Sequence, residues 1–181
     1  MSFALFALTA CSNNNNTQEE TPQPNQTLSQ TPDSTGQSIL TNDGFIRHQF
    51  ETLGFSVELP ASWEGKVSFI ELEFDMDFGT RNFVEVYHIA TREELGFGGT
   101  LFSLGRSPRD HYTYEGERPV MSGGMIFLAQ TDGVTYFVSF PSGVEHSEAE
   151  GSTSAAEFLE MIGHYEPNHW NFLLDSFQLL P

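Results

Sequence analysis

The segment 106–114 brings together side chains that are common in binding surfaces. Arg106, Arg109, His111, Tyr112 and Tyr114 lie there, in a chain that has 7 Lys and Arg against 25 Asp and Glu. Because arginine and tyrosine are enriched where proteins bind ligands and partners, this segment predicts a small binding surface. The alternative is that the arginines pair with surface carboxylates while the tyrosines pack on a sheet.

His111 is also a candidate general base, which would make the protein an envelope hydrolase. Such a base works on a nucleophile, typically a serine in a strained turn or a cysteine. No nucleophile of this kind accompanies His111, since Cys11 is the only cysteine and Ser122 leads through two glycines into a predicted hairpin. The sequence therefore favours a non-enzymatic domain without a cofactor, and the hydrolase is the alternative.

Asp75 and Asp77 have the spacing of the first ligands of a calcium loop. The oxygen ligand expected two residues after Asp77 is absent, and no glutamate stands at the position that closes such a loop. We therefore interpret them as part of a charged turn, with a weak cation site and a cation-responsive module as the alternative. His164 and His169 do not have the i, i+4 spacing that places two metal ligands on one face of a helix, and we interpret them as histidines at the C-terminus of a helix.

The charge of the chain limits its partners. The formal net charge is −18 over 181 residues. Such a surface repels phosphate backbones and anionic lipid headgroups, which argues against nucleic-acid binding and against docking on an anionic membrane. Basic partners, cations or plain solubility remain compatible with this charge.

The N-terminus carries the most specific motif. An apolar run over residues 3–10 ends at Leu8-Thr9-Ala10-Cys11, which resembles the lipobox of bacterial lipoproteins. The resemblance implies that 1–10 is a signal peptide, and that Cys11 is diacylglycerated and becomes the first residue after cleavage. The run is short and has no preceding Lys or Arg, as expected if the natural start lies upstream. The alternative is a short apolar strand with an incidental cysteine.

Residues 12–38 are mainly Asn, Thr, Gln, Ser, Pro and Glu. This composition cannot bury enough apolar surface to offset the entropy of ordering it. We therefore expect 11–40 to be a disordered tether, anchored through Cys11, and 41–181 to be a single α+β domain. The predicted location is the outer face of the cell membrane. The predicted partners are the membrane, through the anchor, and an extracytoplasmic protein or small ligand.

Alternating apolar and polar residues predict about six strands. Order is expected to begin near 39–45, and Trp63 is expected to return to the core after a turn. The predicted strands are 54–60, 66–74 with a bulge at 70–71, 82–90, 100–104, 125–130 and 134–140. Between the last two, Asp132-Gly133 is typical of a tight hairpin turn.

After residue 141 the apolar period becomes helical. Ser154 and Glu157 have the spacing of a capping box, and Phe158, Leu159 and Ile162 follow at helical intervals. A second helix is predicted over 168–176. The predicted fold class is therefore α+β, an antiparallel sheet of about six strands flanked by helices.

The alternating strand 54–60, which ends in Pro60, and the Trp63 that follows resemble the opening of PsbP-like domains. The later strands, the glycine-rich connection and a C-terminal helix that ends in Ser176-Phe177 fit the same plan. The chain is also similar to lipoproteins of Gram-positive bacteria that share this opening and a Phe-Gly-Gly-x-Leu-Phe-Ser-Leu element, here 97–104. The resemblance implies an α/β/α sandwich and a mostly non-catalytic role.

Overall fold

The computed structural model describes residues 38–41, 44–76, 79–116, 118–121, 124–143, 152–163 and 168–181. The strands in these residues are β1 (Ser38–Leu40), β2 (Phe45–Phe50), β3 (Phe55–Pro60), β4 (Val67–Met76), β5 (Gly79–His88), β6 (Thr100–Pro108), β7 (Tyr114–Glu115), β8 (Arg118–Pro119), β9 (Met125–Thr131), β10 (Val134–Ser139) and β11 (Gln178–Leu179). The α-helices are α1 (Ile89–Leu95), α2 (Thr153–Met161) and α3 (Asn171–Ser176). In the described part of the chain, no helix has the length and apolar character needed to cross a membrane.

Nine of the described strands form two antiparallel sheets. One has the order β1-β2-β3-β11 and the other the order β4-β5-β6-β10-β9, while β7 and β8 pair separately. The α+β class with antiparallel sheets is confirmed, but the single sheet of about six strands is wrong. Alternation locates strands without identifying their partners. The chain changes sheets at the 3-10 turn Ala61–Trp63, where Trp63 is buried as predicted.

The four-stranded sheet is built around β3. A turn joins β2 to β3, and Gly54 in that turn has φ +78°, a conformation that favours glycine. The C-terminal strand β11 returns to the other side of β3, with Gln178 opposite Ser56. β1 pairs with β2, so the sheet begins at Ser38, three residues before the predicted domain boundary at residue 41.

The hydrophobic core lies between the two sheets and under α2 and α3. Its fully buried members include Phe55 and Val57 from β3, Val84 from β5, Phe102 from β6 and Phe158 from α2. Burying one such side chain stabilises the fold by roughly 1.5–3 kcal/mol.

The predicted bulge in β4 is wrong. β4 pairs with β5 without interruption, from Val67 opposite His88 to Met76 opposite Gly79. The apparent slip arises because the apolar side of the strand changes along its length. Val67 packs against the core, whereas Phe74 lies on the other face of the sheet and stacks on Phe83 at 5.2 Å between ring centroids.

The predicted hairpin at Asp132-Gly133 is confirmed. Val134 pairs with Thr131, so two residues connect β9 to β10, and Gly133 has φ +87°. The sequence places this turn correctly because its chemistry is local. The register shift between Tyr136 and Phe137 further along the hairpin was not predicted.

The helices differ from the prediction at their starts. α1 was not predicted, and it takes residues 89–90 from the predicted strand 82–90. Its N-cap is His88, whose side chain accepts a hydrogen bond from the backbone N–H of Thr91. The capping box at Ser154 is wrong, because the N-cap of α2 is Ser152, which accepts from the backbone N–H of Ala155 at 3.2 Å.

Candidate functional site

A cleft opens where α2, α3 and the turn Ala61–Trp63 meet. Its volume is about 580 Å³, which lies within the roughly 300–1,000 Å³ of typical small-molecule sites. Both aromatic and charged side chains line it. The aromatic residues are Phe45, Trp63 and Phe172, and the charged residues are Lys66, Glu157 and Glu160.

The aromatic wall is assembled from three separate elements. Phe45 begins β2, Trp63 ends the 3-10 turn, and Phe172 belongs to α3. The rings of Trp63 and Phe172 meet edge to face at 5.8 Å, and those of Phe45 and Phe172 lie 6.0 Å apart. Edge-to-face packing stabilises aromatic pairs beyond their burial, so this wall is held in place before any ligand arrives.

Lys66 and Glu157 belong to a chain of hydrogen bonds that leads from the cleft into the core. Lys66 Nζ lies 2.7 Å from Glu157 Oε1. His88 Nε2 donates to Glu157 Oε2 at 3.0 Å, while His88 Nδ1 lies 2.8 Å from Thr91 Oγ1. The hydrogen bonds from Lys66 and then His88 lower the pKa of Glu157 from its usual 4.5. Glu157 is therefore an ionised carboxylate with both oxygens engaged.

His169 closes one end of the cleft. Its Nε2 donates to the backbone carbonyl of Met161, the last residue of α2, at 2.6 Å. Carbonyls at a helix C-terminus lack partners within the helix, so His169, which precedes α3 in the chain, satisfies a carbonyl at the end of α2. Gly163, with φ +66°, makes room for the ring, because a Cβ there would lie 2.2 Å from His169 Cγ. His164 lies outside the described residues.

No protein-family model matches this chain, and comparisons with curated proteins and with solved structures find no match either. The function has to be inferred from the chemistry of the chain itself. Two places on the domain bear on it: the cleft, and the predicted binding segment 106–114.

The structure divides the segment 106–114 between two faces of the five-stranded sheet. Arg106, near the end of β6, pairs with Tyr136, whose ring packs against Phe55 in the core. His111 ends the 3-10 turn Arg109–His111, in which Arg109 is exposed. The ring of His111 lies 4.8 Å from that of the buried Tyr112.

Arg81 of β5, which was not predicted, joins His111 and Tyr112 on the outer face. Arg81 donates from Nη2 to His111 Nε2 at 2.8 Å, and its guanidinium lies 5.3 Å from the ring centroid of Phe137. Burial and then the charge of Arg81 lower the pKa of His111 from 6.5, with Asp110 opposing them. His111 is therefore neutral at pH 7, and its Nε2 lone pair is already engaged.

The outer-face group is smaller than the predicted surface. Tyr114 begins β7, but its side chain lies outside the described residues. Arg106 sits on the core side of the sheet, so the five predicted side chains do not converge. What the structure brings together is Arg81, His111 and Tyr112.

The other predicted site residues have limited roles in the described structure. Asp75 Oδ1 accepts from Thr80 Oγ1 at 2.9 Å across the β4–β5 hairpin. Asp77 and Cys11 lie outside the described residues. Within the described ranges, no group of three or more His, Cys, Asp or Glu side chains could hold a metal ion. The cation-responsive module stays a prediction.

Sequence reasoning missed the residues of the cleft, although two of them carried a signal. His88 continues the buried phase of Val84 and Val86 along β5, and a buried polar side chain requires hydrogen-bond partners. Lys66 is the only lysine of the chain. The partner of both residues, Glu157, is more than 60 residues away in sequence, and no local pattern identifies it.

Proposed function

We propose that this protein is a lipid-anchored, extracytoplasmic lipoprotein whose α+β domain binds a small ligand without catalysing a reaction. The cleft between α2, α3 and the turn Ala61–Trp63 carries the binding part of the proposal. A concave site with an apolar wall and a few fixed polar groups is typical of small-molecule binding. The cleft has this composition, since Trp63, Phe172 and the Lys66–Glu157 pair all line it.

The lipobox-like motif at Cys11 supports the anchored location. Leu8-Thr9-Ala10-Cys11 follows an apolar run, and the polar composition of residues 12–38 suits a tether between a lipid anchor and a domain. Two or three acyl chains on one cysteine would give stable anchoring, which one chain does not. The cleft would then face the extracytoplasmic space.

The geometry of the ionisable groups supports binding over catalysis. A general acid or base needs a pKa near the working pH and access to the substrate. Glu157 has a lowered pKa and both oxygens engaged, and His88 is fully buried. His111, the base of the alternative hydrolase, accepts a hydrogen bond from Arg81.

The relation to PsbP-like domains is a proposal that rests on local features. β3 ends at Pro60 and is followed by the buried Trp63, as the resemblance implies. At the other end of the domain, Ser176 Oγ accepts from the backbone N–H of Glu58 at 2.9 Å, and Phe177 packs on Phe55. The strand-Pro-Trp element and the Ser-Phe element therefore meet at β3.

A fragment screen by NMR on the full chain tests the binding proposal. The chain has two tryptophans, and the indole N–H signal of Trp63, which lines the cleft, reports on the site. We expect fragment hits to concentrate on the Trp63 indole and the Met161 methyl group. Hits scattered over the domain, or confined to the Arg81–His111 face, would contradict the proposal.

A further inference from the structure

Among the described residues that line the cleft, one carboxylate has no ion-pair partner. Lys66 and Glu157 neutralise each other at 2.7 Å. Glu160 lies one helical turn beyond Glu157 on α2 and also lines the cleft. It is exposed, and it has no ion-pair partner among the described residues. The part of the lining that the structure describes therefore contains two carboxylates, Glu157 and Glu160, and one ammonium group, Lys66.

The aromatic wall lies in the same cleft as this charge. Cations are attracted to the faces of aromatic rings within about 6 Å, and most strongly to tryptophan. Trp63 and Phe172 meet edge to face, so their ring planes lie at 85° to each other. A ligand with an apolar body and a positive group would satisfy both parts of the cleft.

The charge of the whole chain favours the same kind of ligand. With a net charge of −18, the protein attracts cations and repels anions over distances comparable to the Debye length. A carboxylate or phosphate ligand would meet both this field and Glu160. Lys66, the lysine among the described residues that line the cleft, is already paired with Glu157.

We infer that the cleft binds a small organic ammonium ion, in which a protonated amine is attached to an apolar or aromatic body. Glu160 is the counter-ion of the amine, and Trp63 and Phe172 contact the body. This inference rests on the proposed binding function and adds the chemical class of the ligand.

Three probes with the same phenylethyl body and different charge test the inference. They are 2-phenylethylamine, 2-phenylethanol and 3-phenylpropionate, titrated into the full chain while the Trp63 indole signal is followed. We expect the amine to bind about tenfold more tightly than the carboxylate, because one ligand gains and the other loses an exposed ion-pair interaction. Raising the salt concentration should weaken the binding of the amine alone, since salt screens the attraction between exposed charges.

Substitution of Glu160 isolates the counter-ion. Glu160→Gln should weaken amine binding about three- to fivefold and leave 2-phenylethanol unchanged. The matched control is Glu93→Gln, the same change on an exposed position of α1 away from the cleft. Glu160→Lys should reverse the preference towards 3-phenylpropionate.

The outcomes distinguish failure of the ammonium inference from failure of the proposed binding function. Amine selectivity that depends on Glu160 supports both. Equal binding of all three probes at Trp63, or selectivity unchanged in Glu160→Gln, overturns the ammonium inference and leaves the binding cleft in place. If no probe shifts Trp63 while fragments bind elsewhere on the domain, both are overturned.

Discussion

His88 Nε2 lies 3.0 Å from Glu157 Oε2, and this contact joins the end of β5 to α2 across 69 residues of sequence. Lys66 holds the other oxygen of the same carboxylate. Thr91 contacts the second ring nitrogen of His88, so the group also includes the first turn of α1. We conclude that this cluster fixes both helices relative to the five-stranded sheet and forms the charged side of the cleft.

Glu157→Gln should destabilise the domain. The glutamine amide keeps one acceptor oxygen but lacks the negative charge of the carboxylate, which both Lys66 and His88 contact. A hydrogen bond to a charged group contributes about 1.5–3 kcal/mol. We expect a loss of about 1–2 kcal/mol in the free energy of unfolding, measured by urea denaturation. Glu160→Gln, one turn further along α2, is the control and should change stability by less than about 0.5 kcal/mol. Equal effects of the two substitutions would show that the cluster does not hold α2.

The stabilisation by Glu157 should depend on pH. Its folded-state pKa is lowered from 4.5 by Lys66 and His88, so folding favours the ionised form. The contribution is complete above pH 4.5 and is lost as the pH falls through the lowered folded-state pKa. The difference in unfolding free energy between wild type and Glu157→Gln, measured from pH 7 to pH 3, should therefore shrink on acidification. A difference that grows towards pH 3 would mean that the carboxylate is not stabilised in its ionised form.

Much of the local structure follows from the sequence, and the contacts between distant segments do not. The Asp132-Gly133 hairpin and the burial of Trp63 are predicted because turn chemistry and apolar alternation are local signals. The division into two sheets depends on which strands pair, and alternation leaves that open. The cleft was missed for the same reason, because Lys66 and Glu157 meet only after α2 folds over the sheet.

The pKa of His111 should respond to Arg81. Burial and then Arg81 lower it from 6.5, so the neutral ring is favoured in the folded state. The stability that this provides is present above pH 6.5 and is lost as the pH falls through the folded-state pKa. Arg81→Met should move the His111 pKa upwards, as measured by NMR titration of its ring protons. Arg106→Met, a residue on the opposite face of the sheet, should leave it unchanged, and a shift in both variants would refute the specific contact.

Gly163→Ala should damage the cleft as well as the backbone. The new Cβ would lie 2.2 Å from His169 Cγ, and φ is +66°. Gly65→Ala is the matched control, because Gly65 has φ +73° and open space around its Cβ position. We expect Gly65→Ala to cost about 1 kcal/mol from backbone strain and Gly163→Ala to cost more, with a shifted His169 NMR signal. Equal costs and an unmoved His169 would contradict the packing of His169 over Gly163.

The central claim is that the domain is held outside the cytoplasm by a lipid on Cys11. The most direct measurement is the intact mass and membrane fractionation of the protein expressed from its natural start, compared with Cys11→Ser. We predict a chain that begins at Cys11, carries the added mass of a diacylglyceryl group and stays with the membrane, with the modification and retention both lost in Cys11→Ser. An unmodified wild-type protein that remains in the cytoplasm would contradict the claim.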